Sequence, residues 1–228
     1  MRWLKKLTKK IHYGICLATT GGTRVLFDQL RRRIYSRATH FGLEVYPHTD
    51  TVPVDAEPPI YLQKATQEDM EEALRLAKSE DRESIYELTQ RKWFYEAGFR
   101  DCYIARTVAN GELCYMQWLI TPRYTQVASH GLIAKFLRLK EGDCLLENAF
   151  TFQKYRGRNI MPAVMAQLCE IARQDGFKRV ITYVRQDNIA ALKGCQKVGF
   201  KKFEEMHEIN VMFFAKTKYT ICPPNDVY

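Results

Sequence analysis

A chain of 228 residues, 46% of them hydrophobic and 12% aromatic, carries enough apolar surface for one well-filled core, which excludes wholesale disorder. Its formal net charge of +9 is concentrated: residues 1–38 hold ten Lys or Arg against the single acid Asp28, and the remainder balances 25 basic against 25 acidic residues. That excludes a uniformly basic protein and describes a neutral domain with a basic arm.

Seven scattered cysteines form no C-x-x-C pair and no metal-ligand set with the five histidines, which suits free thiols in a reducing cytosol and predicts no metal. The longest uncharged stretch near the start, residues 11–23, is too short to span a bilayer, and its apolar part is too weak for a signal peptide. A cytoplasmic location is expected.

In the arm, Trp3, Leu4, Leu7 and Ile11 recur at helical spacing, with Lys5, Lys6, Lys9 and Lys10 on the other face; Leu26, Leu30 and Ile34 follow beside Arg31, Arg32 and Arg33. Both stretches predict basic amphipathic helices, which assigns residues 1–45 to a helical extension. Through residues 1–38 such an extension could lie on an anionic membrane surface, placing the protein peripherally at the inner face. It could equally dock an acidic acyl carrier protein, touch nucleic acid nonspecifically, or pack on its own domain with the lysines solvated. No base-reading motif accompanies it, so no specific nucleic-acid partner is expected.

Residues 46–59 bring four of the eight prolines and predict a linker or wrapping segment. The main domain is expected from 60 to 217. A short strand opens it, and Thr66 with Asp69 forms a capping signature for a helix. A second helix runs to about Gly98, and two strands meet at Asn110-Gly111 as a hairpin. Strand 143–152, helix 160–176, strand 179–185, helix 188–200 and strand 207–217 follow, leaving 218–228 as a tail. The order implies an α/β fold with a mixed sheet covered by helices.

One junction invites a ligand. In "YRGRNIM", Gly157 lies between Arg156 and Arg158, just where a strand ends and a helix begins. Unpaired N–H groups and the positive end of a helix dipole converge there, a ready anion site; a solvated turn is the alternative reading. Downstream, Asn188, Ala191, Gly199 and Phe200 stand at fixed offsets in "NIAALKGCQKVGF". Together the two stretches resemble the GNAT superfamily of acetyl-CoA-dependent N-acyltransferases. Arg156 to Met161 align with that family's pyrophosphate loop, and Asn188 to Phe200 with its second signature.

The resemblance covers about residues 60–217. It implies a mixed, mostly antiparallel twisted sheet flanked by helices, acetyl-CoA or another acyl-CoA as cosubstrate, and transfer to a small-molecule or protein amine. It places the cofactor on the main chain of Phe150, Thr151 and Phe152, on Arg156, Gly157, Arg158, Asn159, Ile160 and Met161, and on Asn188. Asn159 and Met161 stand where the family prefers Gly or Ala. Glu147, on the strand leading to the loop, is the expected general base, or else an ion-paired or solvated carboxylate. Strand alternation would put it on the face of Ala149 and Thr151. Cys195 stands where many members carry a proton-donating tyrosine, and is either a replacement acid or a core filler. Transfer from acyl carrier protein and a noncatalytic acyl-CoA-binding module remain open alternatives.

Overall fold

The computed structural model describes residues 35–124, 139–211 and 214–222. The amphipathic helices expected over residues 3–34 lie outside them. Eight strands form one sheet: β1 (Tyr35–Val45), β2 (Ile60–Lys64), β3 (Cys102–Thr107), β4 (Leu113–Ile120), β5 (Asp143–Thr151), β6 (Arg179–Arg185), β7 (Lys201–Val211) and β8 (Phe214–Ile221), in the order β2-β3-β4-β5-β6-β1-β7-β8. Every neighbouring pair is antiparallel except β5 with β6. This is the mixed, mostly antiparallel sheet the sequence implies.

The helices start where their caps dictate. In α1 (Gln67–Ala77) the Asp69 N–H donates to Thr66 Oγ1 at 3.2 Å and the Thr66 N–H donates to Asp69 Oδ2 at 2.7 Å, the reciprocal box that satisfies two orphan donors. In α2 (Arg82–Glu96) the Asp81 carboxylate accepts from the Ser84 N–H at 2.7 Å. These two helices pack together over the β2–β5 half of the sheet, where Phe94 meets Trp118 edge-on at 5.4 Å. On the opposite face α3 (Ile160–Gln174) and α4 (Ile189–Val198) pack together, with α3 over β4 and β5. The core is continuous between the layers, with Trp118, Leu145, Leu146, Leu168 and Val180 wholly buried.

Two expected boundaries need correction, and the choice between linker and wrapping segment is decided. Residues 35–45 do not belong to a helical extension: they form β1, hydrogen-bonded between β6 and β7 in the interior of the sheet. Phe41, Leu43 and Val45 alternate into the core, a period of two that no helix can use. At Gly42 a Cβ would come within 2.7 Å of Glu204 Cγ and 3.1 Å of a Tyr183 ring carbon, so this strand threads a slot with no spare room. The domain therefore begins by residue 35, not at 60.

Residues 46–59 are a strap and not a free linker. The Val52 N–H donates to Val198 O at 2.9 Å and the Glu57 N–H to Arg158 O at 3.1 Å, so the segment crosses the end of α4 and the loop before α3 on its way to the sheet edge. Gly199 caps α4 at φ +100° with the Asp50 carbonyl against it, and a side chain there would meet both the backbone penalty and the strap. Finally, the single closing strand expected to end at 217 is a pair, with β7 and β8 antiparallel and β8 reaching Ile221, which moves the tail's start past 221.

Candidate active site

The parallel pair β5–β6 holds from Asp143 opposite Arg179 to Leu146 opposite Thr182 and goes no further. At the last rung the Thr182 hydroxyl donates to Leu146 O at 2.9 Å. β5 continues alone with β4 as far as Thr151 opposite Tyr115. The fork opens a cleft of about 260 Å³. β5 lines it with Leu146 to Ala149, β6 with Thr182 to Arg185, and α3 and α4 with Met161, Met165, Asn188 and Cys195.

At the mouth of the fork β5 bulges. Glu147 opposes Trp118 and Phe150 opposes Met116, so Asn148 and Ala149 together face only Gln117, and Asn148 turns left-handed at φ +57°. An extra residue shifts the phase of the strand. Glu147 consequently shares a face with Phe150, because their partners Trp118 and Met116 are two apart. The expectation that Glu147 sides with Ala149 and Thr151 is thus overturned.

Glu147 is half-buried in the cleft wall. Arg91 of α2 enters the same cleft; burial lowers its pKa, while the carboxylates of Glu87 and Glu147 work against that shift. The two members of this Glu147–Arg91 couple come from a strand and a helix that no sequence spacing links. His40 from β1 and Tyr183 from β6 also line the cleft. None of these three was singled out from sequence. For His40 a signal existed in the alternation of "HFGLEV"; for Arg91, on a helix full of polar residues, there was none.

The loop before α3 keeps the expected form. Gly157 has φ +75° and Asn159, the N-cap of α3, is left-handed at φ +54°, a conformation asparagine tolerates. The N–H groups of Asn159, Ile160 and Met161 have no partner within the helix, and Pro162 sits where its missing N–H would have been an orphan. Met161 does not fill the loop. Its methyl lies over Gly194 of α4, where a Cβ would come within 2.5 Å. A large residue at a small-residue position is thus matched by a glycine on the facing helix.

Arg156 and Arg158 are exposed, but the Arg156 Nε donates to Thr151 O at 3.1 Å, and the Asn159 amide oxygen accepts from Lys197 at 2.7 Å. Phe150 and Phe152 bury their rings, leaving only main chain to offer. Phe152 departs from expectation: its N–H goes to Cys114 O at 3.1 Å and its carbonyl already accepts from the Tyr155 N–H at 2.9 Å. The main-chain edge left open by β6 therefore runs from Glu147 to Thr151.

Asn188 caps α4, its side-chain oxygen accepting from the Ala191 N–H at 3.1 Å. The Asn-x-x-Ala spacing is thus an N-cap geometry as well as a signature. Cys195 faces the cleft from α4 but is nearly inaccessible; its neighbour is the Met165 sulfur at 4.0 Å, and burial pushes its thiol up to about 12. Of the predicted residues, Glu147, Met161, Asn188 and Cys195 share the cleft wall; Phe150 to Ile160 do not line it and continue from its loop end. Among the described residues no three His, Cys, Asp or Glu side chains gather as a metal set, and no helix is long and apolar enough to cross a membrane.

Comparison with known proteins agrees with this geometry. No curated protein matches the sequence. Among solved structures, the glucosamine N-acetyltransferase region of a fungal multi-domain β-N-acetylglucosaminidase superposes with a TM-score of 0.57 at 16% identity, over 81% of this chain and 22% of that one. A Drosophila protein superposes with a TM-score of 0.52 at 12% identity, over 83% of this chain and 57% of its own. The chain thus spans well under two thirds of either, and identities this low speak for the fold alone. The model of the acetyltransferase (GNAT) family matches residues 70–200, more than half of the chain, from within α1 to just past α4. This chain belongs to the GNAT acetyltransferase family.

Proposed function

We propose that this protein transfers an acetyl or other short acyl group from acyl-CoA to a primary amine by direct attack. The observation that carries the reading is the fork between β5 and β6, with a half-buried carboxylate at its mouth and an open helix N-terminus at its end. The fork leaves a strand edge for the amides of a pantetheine arm, and the loop from Arg156 to Met161 suits a pyrophosphate. Binding that handle would position the thioester, and positioning supplies much of the acceleration in such transfers.

The incoming ammonium gives a proton to Glu147, directly or through water. The amine lone pair then forms the N–C bond at the thioester carbon, and collapse of the tetrahedral intermediate breaks the C–S bond. The CoA thiolate leaves as the nitrogen gives up its second proton, which reaches the thiolate through water. Cys195 is a poor donor for that step, since a thiol near 12 giving its proton to an ordinary thiolate works against roughly 4–5 kcal/mol. We therefore assign Cys195 to the wall.

Calorimetric titration with acetyl-CoA tests the reading. Micromolar binding, weakened at least tenfold in Arg156→Ala/Arg158→Ala (about 1.4 kcal/mol), is expected. Glu147→Gln should keep that binding and lose on the order of 100-fold in kcat/KM in an amine-acceptor screen, together with the acid limb of the pH profile. Absence of binding by folded protein sinks the acyl-CoA reading. Binding without turnover on any amine would favour a noncatalytic module, the reading that the buried Cys195 makes worth testing.

A further inference from the structure

One end of the sheet carries a projection that the proposed chemistry does not use. β6 pairs with β1 only from His40 onward, so the start of β1 reaches past it, paired with β7, which pairs in turn with β8. The register sets their side chains in rows. Tyr35 stands opposite Val211. Arg37 stands opposite Ile209, and Ile209 opposite Lys216; Thr39 stands opposite His207, and His207 opposite Lys218. Direct partners in an antiparallel pair share a face, as the 3.2 Å contact of Thr39 Oγ1 with His207 Nδ1 shows.

This face is unlike its reverse. Tyr35 is 58% exposed and Val211 46%, and Arg37, Lys216 and Lys218 are exposed as well. Among the described residues none of these three cations has a carboxylate partner. The acid on the same face, Glu205, lies at its far end, answered by Lys202 at 2.8 Å and His207 at 3.3 Å. The reverse carries Ser36, Ala38, Glu208, Asn210, Thr217 and Tyr219, all half-buried, with Asn210 and Ser36 bonded at 3.0 Å.

The rows are graded along the strands. Tyr35 and Val211 form the tip; Arg37 and Lys216 flank Ile209 two residues behind, about 7 Å further in, and Lys218 follows. An apolar tip with cations one row behind matches a bilayer surface, where apolar groups sink about 5–10 Å and basic groups meet anionic headgroups. The sequence at this end has the same character. Residues 1–34 hold nine Lys or Arg against one acid, Asp28, and they lead into β1 at Tyr35. β7 and β8 are joined there by Met212 and Phe213, where a hairpin connection usually holds Gly, Asn or Asp.

We propose that this face of β1, β7 and β8 docks on an anionic lipid surface, with Tyr35 and Val211 in the headgroup layer and Arg37, Lys216 and Lys218 on lipid phosphates. Nucleic acid would engage the cations and leave the aliphatic tip without a use. The proposal is independent of the acyl-transfer reading, since it needs neither cofactor nor turnover.

Flotation of the full chain with vesicles tests it. The wild type should bind vesicles of equimolar phosphatidylglycerol and phosphatidylcholine, lose most of that binding in 1 M salt, and ignore pure phosphatidylcholine. Lys216→Glu/Lys218→Glu should weaken binding at least tenfold, and Val211→Ser roughly fivefold. Arg75→Glu/Lys78→Glu, at exposed positions at the end of α1, makes the same change in net charge and should cost less than threefold. All of these positions are exposed, and an unchanged thermal midpoint checks that each variant folds.

Binding to anionic vesicles that survives Lys216→Glu/Lys218→Glu overturns the proposal, because residues 1–34 then suffice. So does failure of the folded wild type to bind them, or an equal loss in Arg75→Glu/Lys78→Glu. Binding of duplex DNA that depends on Lys216 and Lys218 but not on Val211, in the absence of vesicle binding, overturns it in favour of nucleic acid. A dimer in sedimentation velocity that Val211→Ser dissociates, again without vesicle binding, overturns it in favour of a second copy of the chain.

Discussion

The two halves of β5 make different uses of the same strand. From Asp143 to Leu146 it is buried and paired with β6, from Leu145 with β4 as well, and Asp143 is clamped by Arg179 at 2.6 Å. From Glu147 to Thr151 it pairs with β4 alone, turns left-handed at Asn148, and hands two carbonyls to Arg91. The first half is scaffold, held by the neighbouring strands. The second half departs from strand geometry, and the proposed chemistry depends on those departures. A stretch that departs from strand geometry can keep its form only because the half before it is rigid enough to hold it.

Substitutions on the two sides of Leu146 should therefore fail differently. The largest effect on stability is expected at Leu145, wholly buried in the first half: Leu145→Ala should cost about 2–5 kcal/mol, read as a lowered urea midpoint with an unchanged slope. Asn148→Val, in the second half, should cost less stability, about 1–2 kcal/mol for a branched side chain held at positive φ. Its loss of turnover should be larger than that stability loss accounts for, and Asn148→Gly should restore both. If Asn148→Val lowers the midpoint as much as Leu145→Ala and leaves turnover untouched, the division between scaffold and site is wrong. The smallest effect is expected at the cap beside the cleft. Asn188→Ala removes one hydrogen bond to the Ala191 N–H and should cost about 1 kcal/mol. A much greater loss of acetyl-CoA affinity there would mean that Asn188 meets the cofactor as well as capping α4.

The comparison also bears on the off-pattern residues. Met161 and Cys195 look like defects when each is set against a motif. In the structure Met161 lies on Gly194, and Cys195 lies beside Met165. Each change is local to the contact between α3 and α4. None removes a main-chain donor from the loop, because those donors belong to the backbone and are indifferent to which side chain sits outside.

Much of this architecture was legible in the sequence because its causes are local. The Thr66–Asp69 box, the Asn110-Gly111 turn and the apolar periodicities of α3 and α4 each need only a few consecutive residues. The form of the loop before α3 was equally readable, since Gly157 and Asn159 announce backbone conformations that few residues adopt. What the sequence could not give were facts about pairing. "HFGLEV" alternates like a strand, but only the sheet shows it threaded between β6 and β7, bringing His40 to the cleft. "LLENAF" reads as unbroken alternation, and the bulge at Asn148 exists because β4 and α2 supply partners, Gln117 and Arg91, that lie 31 (148 − 117) and 57 residues away in the chain. Local propensity selects helices, turns and caps; register, bulges and the meeting of Arg91 with Glu147 depend on the closure of long loops, whose energetics no short stretch contains.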